Sequence, residues 1–323
     1  MRLYKKAAAC LLTAAMAISM LTACGGGGNG GNGGGNTPSP LPNNPDQIVL
    51  PDPGDGEGGG AGGGEGTETK PTKTPIAVNS SKLAQFNEKY AGATEFYVEA
   101  QMIEYGEDGS AEDVRLAAKG NNVYMKMTLS RKNQKQQSVE QLMLKEGDYN
   151  NNYLLLRDSK VAVRTSSYKS ESDDNVSLGA LITEKLPSQM WSTEVKVGPT
   201  KYYAEVYNTY SYEYTTCFTA DGKPVYRFVR NLIEKQLESA TLYKTIQAGS
   251  GTSKGLCRIP TGFKTYSINF SLRTITDAND NVFSIVLQTN GDGDVTSVKV
   301  FDTNNKDVSN NFKWVNDLYK MYE

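Results

Sequence analysis

From residue 96 onward the chain alternates apolar and polar positions. Phe96, Val98, Ala100 and Met102 alternate with Tyr97, Glu99 and Gln101. Val114, Leu116 and Ala118 do the same around Arg115, and Val123, Met125, Met127 and Leu129 around Lys126 and Thr128. A period of two predicts half-buried antiparallel strands. Further runs near 139–146, 152–157, 160–166, 193–198, 201–219, 224–231, 236–247, 264–275, 282–289 and 295–302 read the same way. Asp221-Gly222 between two such runs predicts a tight hairpin. Three segments carry a helical period instead. Leu83, Phe86 and Tyr90 fall at i, i+3 and i+7 behind a capping Ser80 or Ser81. Leu178, Leu181, Ile182 and Leu186 share one face of a helix expected over 177–191, which Pro187 ends or kinks. Residues 311–322 carry Phe312, Trp314, Val315, Leu318 and Tyr319. The pattern is that of an α+β fold built on one antiparallel sheet, and no internal repeat is evident.

The first 79 residues follow a different rule. Arg2, Lys5 and Lys6 precede an uncharged apolar stretch over 7–20, with small residues just before Cys24, in the order of a secretory signal. The stretch is short for a membrane span, which needs about 20 apolar residues. Residues 25–79 then hold 18 of the 32 glycines and 8 of the 12 prolines. Such a composition cannot bury enough surface to offset its ordering entropy, and the cluster Ile48-Val49-Leu50 is too short to make a core. We expect residues 24–79 to form a disordered tether spanning about 40 Å.

Composition narrows the chemistry. The chain has no histidine, which removes Ser-His-Asp and Cys-His catalysis and His-containing zinc sites. Loss of Arg2, Lys5 and Lys6 with the signal takes the formal net charge from −2 to −5, a poor basis for binding nucleic acid or an anionic membrane. Asn290-Gly-Asp292-Gly-Asp294 has calcium-loop spacing, but Val295 stands where the loop needs glycine and Phe301 where it needs glutamate. Ser166-Ser167-Tyr168-Lys169 is a Ser-x-x-Lys pattern with no Lys-Thr-Gly after it. Gly249-Ser250-Gly251-Thr252-Ser253-Lys254 has the composition of a phosphate loop, yet Pro260 arrives where a helix should begin. No catalytic residue, metal site or cofactor is expected.

Cys217 and Cys257 are the only cysteines of the folded part, either disulfide-bonded outside the membrane or two separate buried thiols. Six tyrosines crowd residues 202–214, and Tyr210, Tyr212 and Tyr214 alternate. They are a contact face for a partner or apolar ligand, or ordinary cross-strand packing.

Leu21-Thr22-Ala23-Cys24 resembles the lipobox of bacterial lipoproteins. The resemblance implies cleavage before Cys24, with residues 1–23 removed as signal, and a diacylglyceryl anchor on the Cys24 sulfur. It also implies residence on the extracytoplasmic face of the cell membrane, as in Gram-positive lipoproteins. Two acyl chains suffice for stable attachment. Within 80–265, the early helix, the long meander, the helical insert and Leu256-Cys257-Arg258-Ile259-Pro260-Thr261-Gly262-Phe263 resemble LolA/LppX-like lipoprotein-carrier domains. That family implies a strongly curved, incomplete β-barrel with helices on its concave side, holding acyl chains. Met102, Met125 and Met127 would then line an apolar wall, with Leu178, Leu181, Ile182 and Leu186 on a lid. Residues 266–323 extend the same unit. The expected function is binding of a hydrophobic or lipidic ligand. The alternative is a surface interaction or sensory domain for a protein or glycan, with no ligand cavity.

Overall fold

The computed structural model describes residues 38, 40–52, 71–90, 92–105, 110–131, 136–169, 187–291 and 295–321. Seventeen strands and two α-helices are present among them. No helix among the described residues is long and apolar enough to cross a membrane.

The period-two segments form the first meander. It comprises β3 (Glu95–Glu104), β4 (Ser110–Lys119), β5 (Asn122–Arg131), β6 (Gln137–Glu146), β7 (Tyr149–Leu156) and β8 (Val161–Lys169), each antiparallel to the last. A second meander comprises β9 (Met190–Val197), β10 (Thr200–Asn208), β11 (Tyr212–Phe218), β12 (Pro224–Asn231) and β13 (Leu237–Ala248). β13 runs antiparallel to β3 and joins the two. A crossover through residues 249–263 then delivers β14 (Lys264–Asn269) parallel to β8. A parallel neighbour needs such a long connection. β15 (Thr274–Asp277), β16 (Val282–Thr289) and β17 (Val295–Phe301) complete the sheet beyond it. Two short strands, β1 (Ile48–Val49) and β2 (Thr74–Ile76), both pair with β9. Among the described residues no pairing returns from β17 to this margin, so the structure is one large open sheet.

Each face of the sheet carries two apolar clusters. On one face α1 (Lys82–Tyr90) packs Leu83, Phe86 and Tyr90 onto Phe96, Val98, Leu116 and Met125. Further along that face α2 (Lys313–Met321) places Trp314, Val315 and Leu318 on Val163, Ile275 and Val300. Burial of whole Leu, Val and Phe side chains contributes about 1.5–3 kcal/mol each. The period of 3.6 in each helix matches its buried stripe. On the opposite face the 249–263 crossover lays Leu256, Cys257, Ile259 and Phe263 against Tyr97, Leu142 and Leu155.

The other half of that opposite face corrects the expected tether. Leu41, Ile48 and Leu50 are buried against Val195, Val197, Tyr226 and Leu242. Three apolar residues cannot make a core alone. They complete one here because β9 to β13 present a ready apolar surface. Residues 40–52 and 71–79 therefore lie on the sheet, although their composition reads as linker.

Other departures are local. The run at 201–219 is two strands separated by a turn at 209–211, and the run at 264–275 likewise splits at 270–273. Arg273 adopts a positive φ of 53° there. Residues 187–191 are not helical, and Met190 and Trp191 open β9. The rest of the expected 177–191 helix lies outside the described residues, as do most of the glycine-rich segment, Asp292 and Asp294. The Asp221-Gly222 hairpin forms as expected, with Gly222 at φ 80° and Thr219 N–H bonded to the Lys223 carbonyl.

Candidate functional site

β9 is the strand on which the N-terminal segments meet the sheet. β1 covers its far end, Ile48 opposite Val197 and Val49 opposite Lys196. β2 covers its near end, Thr74 opposite Ser192 through Ile76 opposite Met190. Between them Thr193, Glu194 and Val195 have no strand partner on that side among the described residues. A hollow of about 370 Å³ opens at this notch, lined by Thr72, Thr74, Ser192, Thr193, Glu194 and Tyr203.

The lining is hydroxyl-rich and held by its own bonds. Thr193 Oγ1 donates to the Thr72 carbonyl at 3.0 Å, and Ser192 Oγ to the Thr74 carbonyl at 3.4 Å. Lys201 Nζ lies 2.5 Å from Glu194 Oε1. Tyr203 is 40% exposed, and its hydroxyl donates to Glu205 Oε1 at 3.0 Å. Burial, then the Glu205 charge and that bond, push the Tyr203 hydroxyl up to about 12. It therefore stays protonated at neutral pH. Lys82 Nζ sits 4.7 Å over the Tyr203 ring.

Glu205 couples this margin to the helix. The carboxylate is 1% exposed and accepts from Lys82 N at 2.6 Å and Leu83 N at 2.9 Å. Ser81 Oγ accepts from Ala84 N at 3.0 Å. An α-helix begins with four N–H groups lacking intrahelical partners, and a strand carboxylate and the capping serine satisfy three of them here. A negative charge also suits the positive end of the helix dipole.

Behind the notch lies a second charged group. Glu213, 1% exposed, is held between Lys73 Nζ at 2.5 Å and Arg230 Nη1 at 3.0 Å. Lys73 Nζ is 5.7 Å over the Trp191 ring, and Arg230 Nη1 donates to the Pro51 carbonyl at 2.7 Å. Burial lowers the Arg230 pKa, against the opposing pull of Glu213 and Asp52. Thr72 and Thr74 line the hollow while Lys73 between them is buried, so this short segment ties the hollow to the ion group.

The sequence-marked residues fall elsewhere. Met102, Met125 and Met127 do share one face, in one cluster with Leu83, Phe86 and Tyr90 of α1. Cys24, Leu178, Leu181, Ile182 and Leu186 lie outside the described residues. Cys217 and Cys257 form no disulfide with each other: both are buried thiols, in separate clusters on the second face. Burial pushes the Cys257 thiol up to about 11. Of the tyrosines, Tyr207 and Tyr214 stack at 5.0 Å. Tyr210 leaves the expected alternation, because it sits in the 209–211 turn and is 99% exposed.

The phosphate-loop composition at 249–254 has a structural use. Gly251 N, Ser253 N and Ser253 Oγ all donate to Glu95 Oε1, at 3.0, 3.4 and 2.6 Å. The loop holds the protein's own carboxylate, and the Ser253 hydroxyl above all keeps Glu95 below its usual range. Among the described residues no group of three His, Cys, Asp or Glu is placed to hold a metal.

No protein-family model and no curated protein matches the chain. Solved structures that match include a crystal structure of MucB in complex with MucA(peri). It is 11% identical over 68% of this chain and 71% of that chain, with a TM-score of 0.22. The MucA/MucB complex of Pseudomonas aeruginosa matches at 10% identity over 68% of this chain and 88% of that chain, also with a TM-score of 0.22. A likeness at this TM-score carries no argument about fold or function.

Proposed function

We propose that the protein is a membrane-tethered, extracytoplasmic interaction domain that engages a protein partner at the β9 margin and performs no catalysis. The observation behind this reading is the notch at Thr193–Glu194–Val195, where hydroxyls, a carboxylate and a partly exposed tyrosine surround a stretch of strand edge with no strand partner among the described residues. Such an edge offers main-chain groups to an incoming chain. The anchor is assigned to Cys24 on the lipobox resemblance.

The reading favours interaction over lipid carriage because Met102 and Met125 are covered by α1. Carriage keeps one supporting observation. Met127, Val139 and Met143 lie on one face between the two helix-covered clusters and are only partly buried.

The test places a photo-crosslinking residue at Ser192, in the full chain on intact cells, with Gln288 on β16 as the control position. A discrete protein adduct from position 192 and none from 288 supports the proposal. No reproducible adduct, or the same adducts from both positions, overturns it.

A further inference from the structure

We infer that residues 40–52 occupy a peptide-binding groove, as a built-in competitor for an extended apolar segment of a partner protein. The inference deepens the reading above and rests on it only in taking the partner to be a protein.

The way the sheet holds this segment carries the argument. Tyr105 Oη donates to the Pro42 carbonyl at 2.9 Å. Gly198 N–H donates to the Gln47 carbonyl at 3.1 Å. Arg230 Nη1 donates to the Pro51 carbonyl at 2.7 Å. All three bonds end on main-chain oxygens, which every peptide has. The apolar side chains buried against the sheet are Leu41, Ile48 and Leu50, each less than 9% exposed, with Pro51 buried beside them, and Ile48–Val49 adds to β9 as a short strand. Main-chain bonding along a sheet edge, with apolar side chains set into pockets, is how extended peptides are recognised. Beyond its main-chain bonds, the segment is held through the buried side chains of Leu41, Ile48, Leu50 and Pro51 and the charge of Asp52 beside Arg230.

Connectivity makes the occupant a competitor. The segment joins the rest of the domain through residues 53–70, half of which are glycine. A covalent connection of eighteen residues holds the segment near its site at an effective concentration on the order of millimolar. A partner segment must outcompete that, so only a partner that gains further contacts, such as those at the adjoining notch, displaces the strap.

The experiment uses the full chain with a protease-recognition sequence substituted within 53–70 and cut after folding. The probe is a fluorescent synthetic peptide of residues 40–52, followed by anisotropy. The released strap fragment should leave the domain folded, and the probe should then bind saturably. The uncut chain should bind it at least about tenfold more weakly, as the tethered competitor requires. A probe retaining Leu41, Ile48, Leu50, Pro51 and Asp52 but otherwise rearranged should bind within about threefold of the original, and a probe with Leu50→Asp should not bind. Unfolding on loss of the fragment, no binding to the folded remainder, equal binding to cut and uncut chains, or failure of the rearranged probe would each overturn the inference. None of these outcomes depends on the cell-surface crosslinking result.

Discussion

Replacing Glu205 with alanine tests whether α1 is held to the sheet as described. The substitution deletes the acceptor for Lys82 N and Leu83 N, and Leu83 is 2% exposed. A buried donor left without a partner costs about 1–3 kcal/mol. Lys82 N is nearer solvent and recovers part of its hydration, so the sum is about 2–4 kcal/mol. Glu205→Gln keeps one acceptor oxygen but loses the second bond and the charge at the helix N-terminus. With the remaining oxygen turned to the buried Leu83 N, the loss is the part-hydrated Lys82 N bond at about 1 kcal/mol and the charge at about 0.3–1 kcal/mol, about 1–2 kcal/mol together. The alanine variant loses that charge as well. The assay is urea unfolding followed by tryptophan fluorescence, with thermal melts beside it. At about 2–4 °C per kcal/mol for a domain of this size, the alanine variant should melt about 4–16 °C lower. The same variants should move the Tyr203 hydroxyl back from about 12 toward its ordinary range, by ultraviolet difference titration. An alanine variant within about 0.5 kcal/mol of the parent would refute the reasoning, as would a glutamine variant less stable than the alanine one.

Glu213→Ala leaves Lys73 and Arg230 buried without their shared carboxylate. Breaking a buried ion group costs about 3–5 kcal/mol, so unfolding in urea should show a larger loss than for Glu205→Gln. Both folded-region thiols should be silent to Ellman's reagent in the native protein at neutral pH. In the denatured, unreduced protein both should react, and a disulfide would leave neither reactive. Ser253→Ala removes the leading cause of the lowered Glu95 pKa, so NMR titration should find the carboxyl closer to 4.5. With the folded pKa below the unfolded one, Glu95 contributes stability that is present at neutral pH and lost as pH falls through the lowered value. The acid-side loss below 4.5 should therefore be shallower in the Ser253→Ala variant.

The strands were legible because alternation leaves a direct trace: Phe96 to Met102 and Val123 to Leu129 point apolar side chains to one face, as their spacing predicts. The helix at Leu83, Phe86 and Tyr90 was legible for the same reason. The connection of β13 to β3 was not, since pairing across more than a hundred residues depends on the whole sheet. Residues 40–52 were misjudged because composition measures what a segment can bury by itself. Leu41, Ile48 and Leu50 bury themselves in a surface that distant strands supply. The hollow left almost no trace either. Thr72 and Thr74 sit in a Pro-Thr-Lys-Thr-Pro run that reads as linker, and Glu205 looks like any strand carboxylate until a helix end is brought to it. Tyr203 carried the one usable signal, as a member of the tyrosine-rich stretch, although its neighbours Tyr207 and Tyr214 serve packing.

The central claim is that the sheet is a solid scaffold whose surface does the binding. Lipid analysis of the native full chain, joined to a fluorescent fatty-acid titration, tests it most directly. The account predicts no acyl lipid beyond the anchor itself and no saturable uptake of the probe. One equivalent of copurified lipid, lost together with fatty-acid binding in a Met127→Trp variant that still folds, would contradict it.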